Sequence, residues 1–200
     1  LGHNGPVSIL DGATGEVEKT LEGTEDAGEF VFCDGTLVVR TGSAVLHRGP
    51  KKGEPAIAAF DGFTGALRWE RPAGKVRREA LAAKNGRVFY HTGRELVALD
   101  LRDGSEIWRA EGPAGSNLLV YGGAVAVSAR KGLQAFDAAT GKKLWQGPRS
   151  GIDLFGAQGL LWVDTTHNPG RNVAWTSFPY ECVGLDPRTG EEKRTVTVEN

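Results

Sequence analysis

One eleven-residue phrase recurs along this chain. It reads "AFDGFTGALRW" at 59–69, "ALDLRDGSEIW" at 98–108 and "AFDAATGKKLW" at 135–145. Weaker copies stand at 9–19, "ILDGATGEVEK", and at 184–194, "GLDPRTGEEKR". The anchor residues Asp11, Asp61, Asp100, Asp137 and Asp186 are separated by 50, 39, 37 and 49 residues. A period of this length means that one supersecondary unit is repeated, each copy burying its apolar face against the next. Helical solenoids share such periods, but no stretch here sustains a helical apolar spacing. Each unit instead reads as four short strands. In the third unit these are "EALAA" (79–83), "RVFYH" (87–91), "ELVALD" (95–100) and "SEIWR" (105–109), with the hairpin signal Asn85-Gly86 between the first two.

The phrase itself reads as the hairpin between the third and fourth strands. The Asp carboxylate accepts backbone N–H bonds from two or three residues ahead. The Gly four residues on supplies a left-handed residue with a bulge. Thr14, Thr64, Thr140 and Thr189 precede that Gly, and Asp103 takes their place in one copy. Ala59, Ala98 and Ala135 are small where neighbouring sheets approach. Trp69, Trp108 and Trp145 fall at one equivalent point of the last strand, where a large aromatic can dock one sheet onto the next. The structural docking set is therefore Asp61, Gly65, Trp69, Asp100, Gly104, Trp108, Asp137, Gly141 and Trp145.

Composition fits this reading. Gly is 29 of 200 residues, about twice the ~7% of ordinary chains. No apolar run reaches the ~18–20 residues of a membrane-spanning helix. The net charge of −1 gives no overall field for nucleic acid, and "GKVRRE" (74–79) is a solvated basic loop. Cys33 and Cys182 form no metal-binding spacing and read as small buried hydrophobes. The sequence contains no Met, and no charged-then-apolar stretch in it reads as a signal peptide. Together with a first repeat that starts halfway, this reads as a segment of a longer chain; a processed mature protein is the alternative.

The phrase resembles the tryptophan-docking motif of the quinoprotein, or pyrroloquinoline quinone (PQQ)-like repeat, family. The copies at 59–69 and 135–145 match it throughout. Asp103 departs from it in the third, and the outer two copies have Lys19 and Arg194 for Trp and Ile9 and Gly184 for Ala. The resemblance implies an all-β fold, a β-propeller of four-stranded antiparallel blades. The chain would be an open segment with a half blade at 7–22 and blades at about 29–70, 79–109, 116–146 and 152–198. It also implies an extracytoplasmic location, periplasmic or secreted.

Two surfaces are candidate sites. Both enlarged connections between second and third strands, 41–56 and 165–181, carry binding-type side chains. The first has His47, Arg48, Lys51 and Lys52; the second has His167, Asn168, Arg171, Trp175, Phe178 and Tyr180. The alternative is that these inserts fold over the rim on their own aromatics. The second surface is the channel. Six residues before the first hairpin glycine of each blade stand Glu29, Ala80, Asn117 and Asp153, with Arg77 and Arg78 beside one of them. These positions begin the innermost strands. Oxygen ligands there would suit Ca²⁺, beside which this family holds its quinone; the plainer reading is solvated strand starts. His91 reads as a packed or rim residue.

No P-loop, GxSxG, HExxH or haem-attachment motif occurs, and no adjacent cysteine pair. The function expected is a non-enzymatic binding or scaffolding propeller. It would bind a protein or peptide partner, or the remaining blades of its own chain, with no cofactor and no metal. The alternative is the propeller segment of a PQQ- and Ca²⁺-dependent dehydrogenase.

Overall fold

Hairpins that demand positive φ shape this chain. The computed structural model describes residues 6–42, 54–74, 76–77, 79–112, 115–129, 132–149, 153–164 and 180–198. Among them there is no helix, and the strands form five antiparallel sheets. A two-stranded sheet pairs β1 (Ser8–Leu10) with β2 (Val17–Thr20). Four-stranded sheets follow in sequence order. They are β3–β6 (Glu29–Cys33, Thr36–Thr41, Ala56–Asp61, Leu67–Pro72) and β7–β10 (Leu81–Lys84, Arg87–His91, Glu95–Asp100, Glu106–Glu111). The last two are β11–β14 (Gly115–Tyr121, Ala124–Ala129, Gly132–Asp137, Lys143–Gly147) and β15–β18 (Leu154–Ala157, Leu160–Asp164, Tyr180–Leu185, Glu192–Val198). The fold is thus all-β, built of four-stranded antiparallel blades.

The first hairpin of each full blade is a two-residue turn. Asp34-Gly35, Asn85-Gly86, Gly122-Gly123 and Gln158-Gly159 all have φ between 48° and 79°. Positive φ at both central residues is what a type I′ turn needs to match the twist of its strands.

The repeated phrase builds the last hairpin five times with one bonding scheme. Each Gly N–H donates to the carbonyl of its anchor Asp at 2.8–2.9 Å, from Gly15 to Gly190. Each Asp Oδ1 accepts an N–H from two residues on, and in four copies also from three residues on. The Thr hydroxyl then accepts an N–H two residues further. In the third copy the Asp103 carboxylate accepts the Ser105 N–H at 2.8 Å. Asp therefore does the work of Thr there. A register shift beside the Asp supplies the extra residue of a bulge, as between Ala59 and Phe60.

Two compact units divide the chain: Leu1–Thr92 with Ala98–Ile107, and Gly93–Val97 with Trp108–Asn200. The first has a core of Val7, Leu21, Leu37, Val39, Ala58 and Phe60, with Ile9 packed on it. Within it the buried Trp69 indole N–H donates to the Leu101 carbonyl at 2.9 Å. A Cβ on Gly104 would lie 2.7 Å from that indole ring. In the second unit Ala126, Leu133, Leu161, Val163, Val183 and Leu185 form the core. There Trp108 donates to Ala138 O at 3.1 Å and Trp145 to Pro187 O at 3.0 Å. Their rings lie against Gly141 and Gly190 in the same way. Lys19 stands where the phrase otherwise has Trp. Its alkyl chain lies on Gly65, and its ammonium donates to the Thr64 carbonyl.

Cys33 and Cys182 are free thiols, half-buried rather than buried. Cys33 ends β3 beside an exposed turn, and Cys182 pairs in register with Asp164.

Two tests follow from these contacts. Gly104→Val and Gly141→Val should abolish cooperative folding, because each puts a β-branched residue at φ near 70° against an indole. In the same denaturant titrations Trp108→Ala should lose about 3–5 kcal/mol, as for other buried aromatics. Acid provides the second test. Bonds from Arg188 and the turn hydroxyl and amides lower the Asp137 carboxyl to about 2. That lies below the ~3.9 of an unfolded Asp. Its contribution is therefore complete above about pH 4 and lost as pH falls towards 2. Thermal melts across that window should fall steeply for the native chain and less for Asp137→Asn.

Candidate functional site

One end of every full blade carries polar residues at matched positions. Glu29 opens β3 and faces Arg40 across the hairpin. Arg40, His91, Ser128 and Asp164 each stand five residues after the first hairpin glycine. The first three are buried and Asp164 is half-buried. The long connections, 42–55 and 165–179, leave their blades at this same end.

In the first unit Arg40 Nε donates to Glu29 Oε2 at 3.4 Å, and the Leu81 amide donates to Oε1 at 3.2 Å. Burial nevertheless raises the Glu29 carboxyl above its usual range, against the lowering effects of those two groups. His91 is fully buried, its backbone bonded to Ala80 and Arg77. A cleft of about 480 Å³ lies at the root of the first long connection. Glu25, Asp26, Thr41, Glu54 and Glu70 line it, and the Gly42 amide donates to Asp26 Oδ2 at 3.0 Å.

In the second unit Asn117 sits at φ 60° in a register shift between Ser116 and Leu118. Asp153 is exposed, and its amide donates to Asp164 Oδ1 at 3.3 Å. Both carboxylates bear on Cys182, whose thiol is raised chiefly by burial. Burial also raises Cys33. Neither thiol is primed as a thiolate nucleophile.

The channel positions read from sequence do not all begin strands. Glu29 does, Ala80 and Asp153 immediately precede theirs, and Asn117 is the third residue of β11. The bulge at Asn117 accounts for one residue of the last difference and the additional pair of Gly115 with Ala129 for the other. Glu29 belongs to one compact unit and Asn117 and Asp153 to the other. Arg78, His47, Arg48, His167, Asn168, Arg171 and Trp175 lie outside the described residues, and Tyr180 opens β17 opposite Val198. Arg40, Ser128 and Asp164 were not singled out by sequence, whereas His91 reads there as a packed or rim residue and is fully buried. Counting five residues forward from the hairpin glycine finds them, just as counting six back finds Glu29.

A calcium ion holding a quinone needs carboxylate oxygens free of a competing cation. Glu29 does not fit that role, because a buried guanidinium already bonds it. Among the described residues no three His, Cys, Asp or Glu side chains gather into a metal-binding group.

Arg40→Met should uncover the cost of the buried Glu29 carboxylate. Its raised pKa makes that cost grow as pH rises from about 4, the unfolded Glu value, through the folded value. Melting temperatures of the variant and native chain should thus converge near pH 4 and diverge at pH 7. The loss at pH 7 should be below the roughly 3–5 kcal/mol of a fully buried broken pair, and Glu29→Gln in the same chain should recover part of it.

Comparison with known proteins places this geometry. The family model for outer membrane protein assembly factor BamB, a PQQ-repeat model, matches residues 3–109 and 53–199. The serine/threonine-protein kinase AfsK of Streptomyces coelicolor is 29% identical over 150 residues, covering 68% of this chain and 16% of the kinase. Among solved structures, the computationally designed Ika8 protein superposes with a TM-score of 0.69 at 14% identity, over 96% of this chain and 56% of that one. BamB from Moraxella catarrhalis gives 0.62 at 17% identity, over 96% and 55%. A quinohemoprotein alcohol dehydrogenase from Comamonas testosteroni gives 0.56 at 17%, over 85% and 34%. The chain spans about half the length of the first two structures and about a sixth of the kinase. With the family model matching nearly all of it, the chain belongs to the BamB-like PQQ-repeat β-propeller family.

Proposed function

We propose that this chain is a non-enzymatic binding or scaffolding propeller with a protein or peptide partner. The observation that carries it is the state of the polar blade ends. Glu29 is held by Arg40 and Leu81, and Asp164 by the Asp153 amide. Both thiols are raised. These groups tie strands together and offer no activated nucleophile with its base, as covalent chemistry requires. Its relatives agree with a fold that lends itself to many tasks, since their names include an assembly factor, a kinase and a dehydrogenase. The assembly factor's name supports a protein partner and an extracytoplasmic setting for this chain too. The working surface would be the long connections, above all 165–179, whose sequence combines Trp175 and Phe178 with His167 and Arg171.

Three measurements on the longest natural form of the protein test this. Ca²⁺ with PQQ should leave its melting temperature unchanged, and no alcohol or sugar should reduce an artificial electron acceptor. Saturating ligand at a hundred times its dissociation constant would otherwise add about 2.7 kcal/mol. A PQQ-dependent rise that Asp153→Ala abolishes would make this a dehydrogenase propeller. Peptides selected from a displayed random library should lose binding when residues 166–179 are deleted, while the melting temperature holds.

A further inference from the structure

The first hairpin of the second full blade departs from its counterparts. The residues that flank these turns pair directly across the ladder. In the other full blades they are Cys33 with Thr36, Tyr121 with Ala124 and Ala157 with Leu160. Here they are two cations, Lys84 and Arg87. Directly opposed residues share a face of the sheet, and like charges in that position weaken it. Lys84 is exposed and Arg87 half-buried. The Arg87 Nε is itself buried and has no hydrogen-bond partner among the described residues. A buried donor in that state costs stability until an acceptor meets it. In the first full blade the same place is filled by Thr36, whose hydroxyl accepts Arg68 Nη1 at 2.7 Å.

The neighbouring turn does not supply the acceptor. The Leu101 amide donates to the Gly86 carbonyl at 2.9 Å, which sets that turn against the hairpin. Asp100 in it feels the charge of Arg87, but both its oxygens are taken by Arg102. Oδ1 accepts the Arg102 amide at 2.8 Å and Nε at 3.1 Å, and Oδ2 accepts Nη2 at 2.9 Å. The Asp103 carboxylate is held by the Ser105 amide at 2.8 Å.

We propose that the Lys84–Arg87 hairpin binds a carboxylate side chain of an acidic peptide partner. A guanidinium offers parallel donors in the geometry of a carboxylate, and the Lys84 ammonium adds charge on the same face. Asp100 and Asp103 stand close by against Lys84, Arg87 and Arg102, so the local charge is low. That balance suits a single carboxylate and disfavours a phosphate dianion or a nucleic-acid backbone. Arg87 opens β8 and His91 closes it, so this surface lies at the end of the blade opposite the polar blade end described above. It is separate from the connection 165–179, and its failure would leave the reading of that connection standing.

Fluorescence anisotropy of labelled hexaglutamate with the longest natural form of the protein tests this. Saturable binding is expected, weakening as NaCl rises from about 0.05 to 0.5 M. Arg87→Leu should weaken it by roughly tenfold or more, and Arg87→Lys by less, since Lys keeps the charge without the fork. Lys142→Gln, at an exposed Lys of another blade, should leave it unchanged. Arg87→Leu should also melt at or above the native temperature, because it removes a like-charge pair and an unsatisfied donor. Absence of binding, or binding that Lys142→Gln weakens as much as Arg87→Leu does, overturns the proposal. So does an Arg87→Leu chain that melts well below the native one, since the side chain would then hold the fold. Displacement of the peptide by equimolar inorganic phosphate overturns it as well and would make this a phosphate site.

Discussion

An indole N–H reaching a turn carbonyl of the following blade, while its ring lies on that turn's glycine, ties the blades in series. Trp69, Trp108 and Trp145 each make this contact. The rest of the phrase serves it. The glycine must lack a side chain so that the ring can approach, and the Asp carboxylate holds the turn so that the carbonyl points outward. The paired carboxylate adds a second layer. Asp137 takes Arg188 at 2.6 Å, and Asp61 takes Arg68 at 2.7 Å. Exposed pairs of this kind contribute little singly; here they fix the direction of a turn already closed by backbone bonds.

Stability in such an array is a sum of blade terms and nearest-neighbour contact terms. A lost docking contact is therefore felt by two blades and hardly beyond them. Substitution of the docking residue is tolerated when its stem still covers the glycine, as Lys19 shows. This gives the family a way to vary an interface without varying its geometry.

Much of the architecture was readable because the turn imposes identity. Asp, Gly and Trp each have one physical reason to recur, so five copies stand out in a single sequence. The polar blade ends were only half readable. Glu29 was found by register and His91 was read as a packed or rim residue, but Arg40 and Asp164 lie on strands whose sequence is dominated by apolar residues. Nothing local marks a buried polar residue there. Lys19 and Asp103 looked like losses from the phrase; Asp103 keeps the bond of the Thr it replaces with a carboxylate, and Lys19 bonds another carbonyl of the same turn, that of Thr64. The connection residues His47, Arg48, His167 and Trp175 have no repeat partner from which a position could be inferred.

The neck at the first long connection has an evolutionary consequence. A Cβ on Gly42 would lie 2.5 Å from the Pro55 Cα, so the two ends of that connection touch before it departs. The closure entropy of whatever lies between is then nearly insensitive to length, each doubling costing only about 0.6 kcal/mol. Such a site behaves as a graft point. New segments, even whole domains, could enter there without disturbing β4 or β5, and the propeller could acquire a new binding specificity in one genetic step.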